Sequence, residues 1–106
     1  MWICLNDGFF SVVEDRDDHG YVWVRARNPR HLENLIPNIE VQLTPEADYC
    51  SRIRVLKSEL ADVLTGKVRG INYPNFKNSV KEPQLKRLYS DFWLLGLHYQ
   101  EAISAA

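Results

Sequence analysis

Tyr21-Val22-Trp23-Val24-Arg25-Ala26-Arg27 alternates aromatic rings and guanidinium groups with small aliphatic residues. Successive side chains of an extended strand point to opposite faces. Val22, Val24 and Ala26 therefore form one face, and Tyr21, Trp23, Arg25 and Arg27 the other. Rings beside guanidinium groups are what stacks bases and holds phosphates. Residues 49–56 repeat the theme, with Tyr49, Ile53 and Val55 expected inward and Arg52 and Arg54 outward. If both strands share a sheet, four arginines share one surface. The competing use is structural: an outward Arg covers apolar surface with its stem and pairs with a carboxylate across the ladder. Glu14 and Glu40 are available for such pairing. Neither strand carries the aromatic ribonucleoprotein signature of an RNA-recognition sheet. An RNA- or DNA-binding module is therefore the second reading of this face.

Other reactive residues point to less. Asp15-Arg16-Asp17-Asp18-His19-Gly20 spaces oxygen ligands as a calcium loop does, with Gly at the sixth position. The twelfth position, where a bidentate Glu is required, is Ala26, so a solvated hairpin loop is expected and no metal. His19, His31 and His98 lack metal-ligand spacing and read as surface histidines. Cys4 and Cys50 lie in apolar, strand-like stretches without a C-x-x-C pair and are expected as reduced thiols inside the core. Ser11 and Ser51 lack a nucleophile-elbow turn, and no glycine-rich phosphate loop occurs. No cofactor and no catalytic residue is expected, which makes an enzyme the third reading.

The elements that must position these residues follow from local pattern. Two β-rich runs, residues 1–5 and 9–14, flank Asn6-Asp7-Gly8, where Asp-Gly suits a type I′ turn with positive φ at both central positions. With the strand at residues 21–27 they form a meander. Asn28-Pro29 is a cap followed by a first-turn proline, and it opens a short helix carrying Leu32, Leu35 and Ile36 that ends before Pro37. Residues 39–43 and 49–56 read as a second hairpin. Ser58 is the expected cap of the next helix, whose core stripe is Leu60, Val63, Leu64, Val68 and Ile71, and which ends early at Gly66 or otherwise at Gly70. Pro74 holds residues 72–79 as a loop.

The last element is a long helix from about Pro83 to Ile103. Leu85, Leu88, Tyr89, Phe92, Leu95, Tyr99 and Ile103 form one continuous stripe at helical period. Trp93, Leu94 and Leu97 fall outside that stripe. Either the loop bearing Tyr73 and Phe76 covers them, or they are the interface of a homodimer.

The chain has 106 residues, 45% hydrophobic and 25% charged, with net charge −1. That is enough for one core, so a single domain over residues 1–106 is expected, and no global field draws it to nucleic acid or anionic lipid. No apolar run approaches the ~18 residues of a membrane helix, and a cytoplasmic location is expected. The expected fold is α+β: an antiparallel sheet of about five strands with two or three helices packed on one face. Trp2-Ile3-Cys4-Leu5-Asn6-Asp7-Gly8-Phe9, Val24-Arg25-Ala26-Arg27 and Tyr73-Pro74-Asn75-Phe76-Lys77 together resemble a family of short, uncharacterised bacterial proteins. The resemblance implies a bacterial origin and a stand-alone domain, and no activity, cofactor or substrate. The leading functional expectation is a non-enzymatic binding or regulatory protein that acts through protein–protein contact.

Overall fold

The computed structural model describes residues 1–105. Its elements are β1 (Trp2–Leu5), β2 (Gly8–Glu14), β3 (Tyr21–Ala26), α1 (Pro29–Leu35), β4 (Gln42–Leu43), β5 (Ser51–Leu56), α2 (Lys57–Arg69), α3 (Phe76–Ser79) and α4 (Pro83–Ser104). The strands form one open sheet in the order β1-β2-β3-β5-β4, antiparallel at every pairing. The fold class is α+β. None of the helices is long and apolar enough to cross a membrane among the described residues. The chain divides into two compact units, Met1–Asn72 and a second beginning at Tyr73.

In the first unit, the meander follows the expected order, with a correction at its turn. Leu5 pairs with Gly8, so Asn6 and Asp7 are the central residues, and neither they nor Gly8 has positive φ. The glycine serves proximity. A Cβ at Gly8 would lie 2.5 Å and 2.9 Å from the Phe10 ring and 3.1 Å from His31 Cβ. Phe10, two residues along the same strand face, lays its ring over the gap that Gly8 leaves. Among the described residues, Asn38, at φ 65°, is the non-glycine residue in the left-handed region, in the turn after α1, where Asn is tolerated.

One sheet face carries Phe10, Val12, Val22, Val24, Ala26, Ile53 and Val55. Leu32 and Leu35 of α1 and Leu60 of α2 close over them as one buried cluster. Both helices therefore pack on the same face. Full burial of each of the larger side chains among them, Val, Leu, Ile or Phe, contributes roughly 1.5–3 kcal/mol. α1 starts as expected: Asn28 accepts a hydrogen bond from Arg30 N at 3.0 Å, and Pro29 fills the first position. α2 departs from expectation at both ends. Its cap is Leu56, not Ser58, and Glu59 reaches back to accept the Leu56 N–H at 3.4 Å. β5 runs directly into the helix, so the boundary falls earlier. Of the expected stripe, Leu60 is buried and Val63 and Leu64 pack against the core, but Val68 and Ile71 are exposed. The helix outruns the sheet it packs on.

β4 has two residues, shorter than the expected 39–43, because Ile39 and Val41 turn into the core cluster and do not pair. His31 is another correction: it is buried, and its Nδ1 accepts the Phe9 N–H at 3.2 Å. Ser51 is buried without penalty, since its hydroxyl donates to Ala26 O at 2.8 Å.

In the second unit, Asn75 caps α3 by accepting the Asn78 N–H at 3.0 Å, so the expected loop contains a helical turn. Phe76 packs on Tyr89 of α4 at a ring separation of 5.1 Å, and Tyr73 on Phe76 at 6.0 Å. The long stripe of α4 is only partly a core. Leu85 and Tyr89 are buried and Leu88 and Phe92 half-buried, while Leu95, Tyr99 and Ile103 are exposed.

Candidate anion-binding face

Antiparallel pairing sets Tyr21 opposite Leu56, Trp23 opposite Arg54, and Arg25 opposite Arg52. Directly opposed residues share a face. β3 and β5 therefore bring Trp23, Arg25, Arg52 and Arg54 together on the face away from the core cluster, with Tyr21 and Arg27 at the two ends of the row. Two like charges directly opposite destabilise a ladder. The register forces this at Arg25 and Arg52, and the side chains respond by leaning apart along the strands. Arg52 lies over the Trp23 ring at 4.1 Å and Arg54 over Tyr21 at 3.7 Å. Arg25 leans the other way, over Tyr49 at 4.7 Å, where Arg27 joins it at 4.3 Å. Each guanidinium over a ring gains roughly 0.5–2 kcal/mol, more as water is excluded.

The charge balance along this row is uneven. Arg54 Nε donates to Asp15 Oδ2 at 2.5 Å, and Asp15, with its side chain 8% exposed, also accepts the Asp17 N–H at 2.8 Å. The Arg54 hydrogen bond, then that backbone bond, hold the Asp15 carboxyl below its usual range and push Arg54 up. Arg27 sits 3.6 Å from Asp48 and donates to the Asp48 carbonyl at 3.0 Å. Arg25 donates to a neutral group, the Ser11 hydroxyl, at 2.7 Å. Among the described residues, no carboxylate pairs with Arg25 or Arg52. The Nε of each is buried and lacks an acceptor there. A cleft of about 500 Å³, lined by Trp23, Glu40, Gln42, Arg52, Ile53 and Arg54, opens beside Arg52.

All six sequence-expected residues thus share one surface, but three details differ. Glu14 does not pair with these arginines: it stands opposite Val22, on the other face, and its carboxylate accepts from Lys57 Nζ at 2.6 Å. Its carboxyl is held low by that bond. Tyr49 is buried yet lies outside the core cluster, as the platform for Arg25 and Arg27. It precedes β5, where strand alternation no longer applies. Asp15 and Asp48, the actual counter-charges, sit in turns just beyond strand ends, where no periodicity marks them. In the residue 15–20 loop, Asp15 faces its donors and Asp18 accepts the Gly20 N–H at 3.0 Å, as in an ordinary polar turn. Among the described residues no group of three His, Cys, Asp or Glu could hold a metal ion.

Cys4 corrects its expectation outright. It is exposed in β1, because Ile3 and Leu5 take the core-facing positions and Cys4 alternates with them. Partial burial nonetheless pushes its thiol pKa up. Cys50 is half-buried and its Sγ donates to Arg27 O at 3.0 Å. Of the helix residues expected at an interface, Trp93 and Leu94 are exposed and Leu97 is half-buried. Lys77 Nζ lies over the Trp93 ring at 4.6 Å.

No protein-family model, curated protein or solved structure matches this chain.

Proposed function

We propose that the protein is a non-enzymatic binding protein that acts through protein–protein contact, taking one or two carboxylates of an acidic partner segment on Arg25 and Arg52. The observation that carries this is their uneven neutralisation: Arg27 and Arg54 have carboxylate partners, Arg25 and Arg52 have none among the described residues. A planar carboxylate meeting the guanidinium fork would relieve the repulsion that the register imposes. The cleft beside Arg52 gives such a group a place to enter. Two features favour an acidic protein segment over nucleic acid. A polyanion draws its affinity from many uncompensated cations, and this row offers two. The rings that would stack bases are already occupied by the protein's own guanidinium groups. A bacterial, cytoplasmic setting belongs to the same proposal, supported by the resemblance of residues 2–9, 24–27 and 73–77 and by two unpaired cysteines.

The test is fluorescence anisotropy with a labelled Glu-rich decapeptide, its Gln counterpart, and mixed short RNA and DNA. The acidic peptide should bind, with a log–log salt slope near the one or two ion pairs formed. Arg52→Gln should weaken it about tenfold, equivalent to about 1.4 kcal/mol. Arg27→Gln, which removes an arginine already paired, should change it less than about threefold. Equal binding of the Gln peptide, or no binding at about 100 μM, overturns the proposal, and so does tighter nucleic-acid binding with a steep salt slope.

A further inference from the structure

From Trp93 to Ser104, α4 carries a single formal charge, Glu101, in twelve residues. Solvated helix ends are normally dense in charge. Leu95, Tyr99 and Ile103 lie four residues apart on one face and are 62%, 68% and 56% exposed. They continue the stripe that Leu85, Tyr89 and Phe92 begin, and they lie exposed among the described residues. Gly96 falls on that stripe, four residues after Phe92 and three before Tyr99. A mid-helix glycine costs about 1 kcal/mol relative to alanine. Nothing within 4 Å would meet a Cβ there, so packing inside the chain does not require it. A bare apolar row with a notch in it lets a second helix backbone approach closely.

We propose that the Leu95–Gly96–Tyr99–Ile103 stripe is the contact surface for a second copy of this chain, helix against helix about a two-fold axis. Three observations select that occupant. The stripe is uncharged along its length, so two copies meet without burying an unpaired charge. An isologous contact doubles whatever each copy contributes. With the half-buried Leu88 and Phe92, each copy offers on the order of 500 Å², and two copies bury about 1,000 Å², the lower bound for a specific interface. Trp93 and Leu94 project about 120° and about 140° from the mean direction of Leu95, Tyr99 and Ile103, so they border the contact at most.

Sedimentation equilibrium in reductant, from about 1 to 100 μM, should show a wild-type mass moving toward twice the 12.4 kDa chain, with a micromolar Kd. Tyr99→Glu should give a monomer of unchanged helicity, since the residue is exposed in the single chain. Gly96→Leu separates notch from bystander: it raises intrinsic helix propensity, yet it should weaken the dimer at least about tenfold. Trp93→Glu should leave association within about threefold of wild type. A wild type that stays monomeric at 100 μM overturns the proposal. So does a dimer that survives Tyr99→Glu, or one that Trp93→Glu abolishes. Acidic-peptide binding by the Tyr99→Glu monomer should match wild type, so this proposal and the arginine-face reading fail separately.

Discussion

At the scale of single residues, Asp15 does more than any other carboxylate to organise the arginine row. Its folded-state pKa is lowered by Arg54 and by the Asp17 N–H, so the folded form binds its proton less readily than the unfolded chain. The stabilisation is therefore present above the unfolded value, about pH 4, and is lost as pH falls through the lower folded value. Asp15→Asn should lower the urea midpoint at pH 7, and the gap from wild type should close as pH is taken from about 4 toward 2. A gap that persists unchanged at acid pH would mean that the side chain matters through packing and not through charge. This residue also marks the limit of what the sequence shows. Strand alternation, a strict period of two, turns the arginines outward on each strand, and the pairing of β3 with β5 is what joins them on one surface. Their counter-charges could not be read this way, because Asp15 and Asp48 lie in turns, where direction depends on the path of the chain. The same limit hides the placement of Tyr49, two residues before β5, and of Cys4, whose apolar neighbours Ile3 and Leu5 belong to the opposite face.

Among the elements, those with local chemical signals were legible. Asn28-Pro29 announces α1, and the two-residue turn announces the first hairpin, although Gly8 is there for the Phe10 ring and not for its φ. Elements whose burial is decided by distant partners were not. Helical period identifies an apolar stripe but not how far its cover extends. α2 and α4 both run past theirs. On α2 the boundary falls between Leu64 and Val68, which gives a direct contrast. Leu60→Ala should cost about 2–5 kcal/mol by leaving a cavity under the sheet. Val68→Ala, at a residue 67% exposed, should stay within about 0.5 kcal/mol. Urea denaturation followed by circular dichroism measures both. Similar losses at the two positions would show that the end of α2 is covered in solution.

For the molecule as a whole, strand order was the least legible feature, since it depends on β5 inserting between β3 and β4, a pairing between segments some thirty residues apart. That order settles the chemistry of storage in air. Cys4 lies on β1, and Cys50 adjoins β5, three strand spacings away, about 14 Å. A disulfide needs Cα atoms within about 7 Å, so the two thiols cannot join inside one folded chain. A disulfide can therefore form only between chains, and Cys4, the more exposed thiol, is its expected point of attachment. Its raised pKa leaves little thiolate near neutrality, so cross-linking should be slow and should quicken with alkaline pH. Non-reducing electrophoresis should show a covalent dimer that Cys4→Ser prevents and Cys50→Ser does not. A ladder requiring Cys50 would instead reveal that the β5 end opens. Ageing samples will thus accumulate a tethered species whose mass mimics the helix-paired dimer, and a thiol reductant tells the two apart.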